Sequence, residues 1–124
     1  MKPKGTQLAM FMPAKDLYDM HSVDTPAYAG TDEMRADKRH RNAAGRMNQN
    51  IAAEGVRKPV SVFHGSDTGM ADYMQGHDTA VGNGNHRVIA AYDRDPGMEV
   101  PVIHHDQFGD LMKTMRDQDR AGTW

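Results

Sequence analysis

The residues with the clearest capacity for chemistry lie together in Gly82-Asn83-Gly84-Asn85-His86-Arg87, where a predicted strand turns into a predicted helix. Gly82 and Gly84 accept backbone angles that other residues resist, and Asn83 and Asn85 are the next most tolerant of a left-handed conformation. A sharp loop follows. Asn85 is a good N-cap for a helix from His86 to about Asp93, with Val88, Ala91 and Tyr92 on one inward face. The first amides of such a helix lack intrahelical partners and sit at the positive end of the peptide dipoles. Arg87 adds a forked donor beside them, and His86 adds a ring that donates to a phosphate or shuttles a proton. The expected chemistry of Gly82, Asn83, Gly84, Asn85, His86 and Arg87 is therefore capture of an anion such as phosphate. The same residues also suit a structural turn in which Arg87 pairs with a carboxylate such as Glu54. Neither the dinucleotide nor the Walker fingerprint applies, because no third glycine follows and no Gly-Lys-Ser/Thr closes the loop.

Several elements must position this turn. Residues 8–12 read as a short strand ending at Pro13, and residues 13–20 as a short helix with proline in its first turn. Residues 21–30 read as loop. The longest helix spans about 31–55, capped by Thr31, carrying Asp32 and Glu33 in its first turn and stopped at Gly55. Ala44, Met47 and Ile51 recur at helical spacing and should face the core, while Gly45 is a weak point where one helix becomes two. Residues 59–64 alternate as a strand with one buried face, 65–76 form a glycine-rich loop or lid, and 98–103 supply another strand after the breaker at 93–97. Asp106 should cap a last helix with Phe108, Leu111, Met112 and Met115 on one stripe. Trp124 could dock on the body or on a partner.

Within the long helix, Arg35, Lys38, Arg39, Arg41 and Arg46 outnumber Asp37. A helical basic cluster of this kind contacts nucleic-acid phosphates, although the usual fate of such a run is a solvated face, and no aromatic residue is interleaved to stack on bases. Seven histidines invite a metal hypothesis. The spacing does not favour one, since no His-Glu-x-x-His occurs, and His104 and His105 on a strand point to opposite faces and cannot chelate one ion together.

Three stretches taken in order carry a resemblance. They are Ile51-Ala52-Ala53-Glu54-Gly55-Val56-Arg57-Lys58-Pro59-Val60-Ser61-Val62, then Gly82-Asn83-Gly84-Asn85-His86-Arg87-Val88-Ile89-Ala90-Ala91, then Val100-Pro101-Val102. Together they resemble the ParB/sulfiredoxin superfamily over roughly residues 8–105, in the form of a small stand-alone ParB-like nuclease domain of phage type. The resemblance implies an α/β (α+β) fold with a small mixed β-sheet flanked by helices. It implies a nucleotide, with Mg2+, as ligand at the turn, and an acidic residue near Glu54 that assists the metal or the reacting hydroxyl, which makes Glu54 and His86 the catalytic candidates.

The departures are informative. Sulfiredoxins place a cysteine directly before the His-Arg pair, whereas this chain has Asn85 there and no cysteine anywhere, so thiolate chemistry and disulfides are excluded. Partition proteins of the ParB family carry Gly-Glu-Arg-Arg at the turn and bind CTP with magnesium. Here the run is Gly84-Asn85-His86-Arg87, with one arginine lost, and 124 residues leave no room for a centromere-reading domain and a dimerising tail. A metal-dependent nuclease needs clustered carboxylates, and the acids near the turn are Glu54, Asp78 and Asp93.

Composition bounds the rest. A chain of 124 residues with 38% hydrophobic residues, 12 glycines and 6 prolines predicts one domain with a thin core and many turns. Eleven methionines suit irregular core gaps and adaptable surfaces. A net charge of −2 excludes a strong overall field for nucleic acid or an anionic membrane, so any such binding must be local. No apolar run is long enough for a signal-peptide core or a membrane span, which predicts a soluble cytoplasmic protein, in the host cytoplasm if phage-encoded. The expected organisation is residues 1–30 as a strand, helix and loop, 31–105 as the ParB-like core, and 106–124 as a terminal helix and tail. The expected function is binding of a phosphate-bearing ligand, a nucleotide or nucleic-acid backbone, with metal-assisted hydrolysis as an extension. The rival is a non-enzymatic factor that binds a host protein and keeps the turn as architecture.

Overall fold

The computed structural model describes residues 10–64, 71–106 and 108–121. It is a mixed α/β domain built on a five-stranded sheet in the order β1-β5-β3-β4-β2. The strands are β1 (Met10–Pro13), β2 (His21–Ser22), β3 (Val60–His64), β4 (Thr79–Asn83) and β5 (Glu99–His105). The helices are α1 (Ala14–Asp19), α2 (Thr31–Ala44), α3 (Met47–Glu54), α4 (Ala71–Met74), α5 (Asn85–Arg94) and α6 (Phe108–Ala121). β1 runs antiparallel to β5, β5 parallel to β3, β3 antiparallel to β4, and β4 parallel to β2.

Helices cover both faces of the sheet. On one face Val60, Val62, Val81, Val100 and Val102 pack with Ala14, Leu17, Ile51, Val88 and Ala91 from α1, α3 and α5. On the other, Phe63 and Ala80 pack with Met74 of α4 and Leu111 of α6. Residues 60–63 of β3 are accordingly buried without a break, which corrects the expectation of one exposed face. Central strands covered twice lose the alternation that marks a half-exposed strand.

The long helix is two helices, separated at Gly45 and Arg46, and α3 ends at Gly55 with φ 72°. The buried face of α2 is Met34, Lys38 and Asn42. Ala44 is exposed, against expectation, while Ile51 is buried and Met47 packs on the core edge. Thr31 is inside α2 and makes no side-chain cap, the flanking position being Gly30. The expected loop at 21–30 contains β2 and a 3-10 turn at Thr25–Ala27. Of the predicted strand 8–12 and lid 65–76, residues 8, 9 and 65–70 lie outside the described residues, as does Trp124, and residues 71–74 of the lid form helix α4, against the expectation of loop. Among the described residues no helix is long and apolar enough to cross a membrane.

β4 delivers the turn to the same end of the sheet at which β3 begins, since Asn83 faces Ser61. Gly84 then takes φ 97°, and a Cβ there would lie 2.8 Å from Arg87 Nη2 and 3.0 Å from Val60 Cγ2. Gly84 is thus required twice, by its left-handed backbone and by the guanidinium packed beneath it. Gly84→Ala should cost about 3 kcal/mol, the sum of left-handed strain and overpacking, read as a lowered urea midpoint with an unchanged slope.

Candidate anion-binding cleft

The turn sorts its predicted ligands into inward and outward sets. Arg87 is 6% exposed and its Nη1 donates to the carbonyl oxygens of Lys58 (2.8 Å) and Pro59 (3.0 Å). Burial pushes its guanidinium down to about 10 while the two carbonyls favour the charged form, so it remains a cation at neutral pH. It ties the first turn of α5 to the chain entering β3. Its role in the fold is that of a strut, and neither the solvent-facing phosphate fork nor the Glu54 pair expected from sequence is formed by this contact.

Asn85 is also buried and is not the N-cap; that position is Gly84. Asn85 Nδ2 donates to Asp24 Oδ2 (3.1 Å), which in turn pairs with the buried Lys38 (2.9 Å). A helix-start asparagine whose amide finds a carboxylate from a distant segment gives up capping for tertiary bonding.

His86 faces the other way. Asn42 Nδ2 donates to the His86 carbonyl (3.0 Å), and Asn42 Oδ1 lies 3.2 Å from His86 Nδ1. Because Oδ1 can only accept, Nδ1 carries the proton and Nε2 keeps its lone pair. Burial, with Lys38 and Arg41 nearby, pushes the ring below its ordinary value, so it is neutral at pH 7.

His86 lines a cleft of about 400 Å³ together with Arg41, Asn42, Gly45, Arg46, Met47 and Asn50. The cleft lies between the break separating α2 from α3 and the first turn of α5. Two helix N-terminal turns, at Met47 and His86, therefore border it with two arginines, and no acid is among the described lining residues. Asn50 Nδ2 is buried without a hydrogen-bond partner among the described residues. A buried amide donor in that condition at a cleft wall is a place for an acceptor from outside.

The basic run does not act as one patch. The Arg35 guanidinium lies over the Tyr18 ring (3.8 Å) and donates to the Tyr18 carbonyl (2.6 Å). Lys38 is buried against Asp24, and Arg39 forks onto Asp93 and bonds the Tyr18 hydroxyl (2.8 Å). Arg41 and Arg46 alone of the five reach the cleft, Arg41 while pairing with Asp37 at 3.2 Å. Three of the five arms are diverted because α2 packs on α5 and the 3-10 turn, and Tyr18, Asp24 and Asp93 lie within reach.

Glu54 is exposed at the C-terminal end of α3 and pairs with Arg57 (3.3 Å), whereas the cleft is lined by the opposite end of that helix. The fold places the two catalytic candidates, Glu54 and His86, at opposite ends of α3. Among the described residues no three His, Asp or Glu side chains form a group able to hold a metal, and two arginines without a carboxylate do not fit the Mg2+ that the resemblance implies. The cleft residues missed from sequence are Asn42 and Asn50. Their signal was weak, two asparagines on a predicted core-facing helix, and their convergence on His86 depends on the break at Gly45.

Fold and cleft together define a mixed α/β domain with a cationic cleft at the start of a central helix. Comparison of the chain with protein-family models, with curated proteins and with solved structures gives no match.

Proposed function

We propose that this chain is a ParB/sulfiredoxin-like domain that binds a phosphate-bearing ligand, a nucleotide or a nucleic-acid backbone, in the cleft beside His86. The observation that carries the reading is the convergence of the Met47 and His86 helix starts with Arg41 and Arg46 on one cleft whose described lining residues include no acid. The order of elements supports it: a strand entered through Pro59, a glycine turn opening α5, and a closing strand containing Val100-Pro101-Val102. The ligand contacts shift from the sequence expectation, with His86 retained and Arg41, Arg46 and Asn50 replacing Asn85 and Arg87. Met47 and Gly45 give one wall an apolar surface that suits the flat face of a base. His86 Nε2, with its lone pair, is the cleft group able to take a proton from an attacking water, and hydrolysis stands as an extension of binding.

Proton uptake by His86 gives the test. A protonated ring donates from Nε2 as well as Nδ1, so affinity for an anion of fixed charge should rise as pH falls. Sulfate and a short oligonucleotide serve as probes because their own charges stay constant. Binding by calorimetry should strengthen about fivefold between about pH 7.5 and pH 5.5, and His86→Gln should flatten the profile. The folded-state pKa of His86 lies below its unfolded value, so the unfolded chain binds more protons in that window. Stability therefore falls as pH drops from about 6.5 toward the lower folded value and then levels off, opposite in direction to the affinity. A pH-independent affinity in the wild type would remove His86 from the site. A thermal-shift screen of nucleotides with and without magnesium separates nucleotide from nucleic acid.

One observation favours the rival reading as a protein-interaction factor. Met10 and Phe11 are 53% and 65% exposed on β1, which among the described residues is an edge strand paired with β5 alone. On that reading no nucleotide raises the melting temperature and a pull-down returns a protein partner.

A further inference from the structure

His64 and His104 meet at the end of the sheet remote from the His86 cleft. Val62 of β3 lies opposite His104 of β5, and strand alternation puts His64 and His104 on one face. The rings meet edge to edge, with centroids 4.8 Å apart and planes inclined by 29°, and His64 Nε2 lies 2.6 Å from His104 Nδ1. With His105 and Asp106 they line an open cleft of about 350 Å³. His105 itself turns to the other face and bonds Ser61 Oγ (3.2 Å), as expected for strand neighbours.

We propose that His64 Nε2 and His104 Nδ1 form a chelating site for a divalent late transition-metal ion, Cu2+ or Ni2+, with water completing the coordination. Two imidazole nitrogens this close cannot both point a proton at each other, so at least one lone pair always faces the gap. A metal ion takes the place of the shared proton and lets both nitrogens act as donors. With metal–nitrogen bonds of about 2.0 Å, a right-angle bite sets the nitrogens about 2.8 Å apart and a tetrahedral one about 3.3 Å. The nitrogens must separate by only about 0.2 Å for the first and about 0.7 Å for the second, with the rings tilting so that both lone pairs converge on the ion, which favours tetragonal ions over Zn2+. His64 is exposed, so a small rotation of its ring supplies the opening. Among the described residues no third ligand side chain converges on the pair.

The test is titration of the full chain with chloride salts of Cu2+, Ni2+ and Zn2+ in a non-coordinating buffer. One equivalent of Cu2+ should bind, and His64→Ala and His104→Ala should each weaken it at least about tenfold. His77→Ala, which removes the stacked pair of His77 with His21, should leave the affinity unchanged. NMR of the unmodified protein gives an answer independent of how well any variant folds: substoichiometric Cu2+ should broaden the His64 and His104 ring signals before those of the other histidines. Wild-type affinity in the His64 and His104 variants, earlier broadening elsewhere, or a clear preference for Zn2+ over Ni2+ overturns the proposal.

Discussion

Arg87→Ala is expected to lower the melting temperature by about 10 °C, corresponding to about 3 kcal/mol for a domain of this size. The guanidinium is buried and donates to two carbonyls at the entrance to β3, so its removal strips charge-assisted bonds worth about 1.5–3 kcal/mol each. The cation no longer has to be desolvated, which offsets part of that loss, while the deleted side chain leaves a gap under Gly84. Arg87→Lys should recover only a fraction, because an ammonium on a shorter stem cannot reproduce the planar fork. Thermal denaturation followed by circular dichroism decides the matter. A variant that melts like the wild type yet loses phosphate binding would restore Arg87 as a ligand group and refute its role as a strut.

Reversing both cleft arginines, Arg41→Glu with Arg46→Glu, should weaken binding of the oligonucleotide probe by about 100-fold while shifting stability by under about 1 kcal/mol. Arg41 contributes one exposed pair with Asp37, of a kind worth a few tenths of a kcal/mol, and Arg46 is exposed in the break between α2 and α3. The change replaces two attractive charges by two repulsive ones beside the helix starts, and the salt dependence of binding should flatten with it. Fluorescence anisotropy at two salt concentrations measures both effects. Unaltered affinity in a folded double variant would leave the cleft without a phosphate site and favour the interaction reading built on Met10 and Phe11.

Legibility in the sequence followed the range of the forces involved. Gly55, the proline before β3, the Gly84 turn and the Leu111–Met115 stripe are local signals, and each marks an element boundary or face in the structure. The break at Gly45 was legible as a weak point because glycine carries its helix penalty wherever it sits. Ala44 was misassigned for the same local reason: its spacing relative to Met47 and Ile51 assumes one continuous helix, and the break rotates α2 away from that register.

The place of the key turn is local information, since Gly84 acts through its own left-handed angle and the helix-forming run behind it through its propensity, whereas Gly82, expected to shape the turn, lies in β4 with Leu111 packed 3.0 Å from where a Cβ would stand. Which way each side chain of that turn faces was decided only by tertiary structure. Arg87, Asn85, Lys38 and Arg39 each find a carbonyl or carboxylate from a segment many residues away, and a charged group that is partly desolvated takes whichever partner the packing brings within about 3 Å. The meeting of His64 with His104 has the same origin, because the parallel register of β3 on β5 is set by side chains packed on both faces of the sheet and is written in no local pattern of either strand.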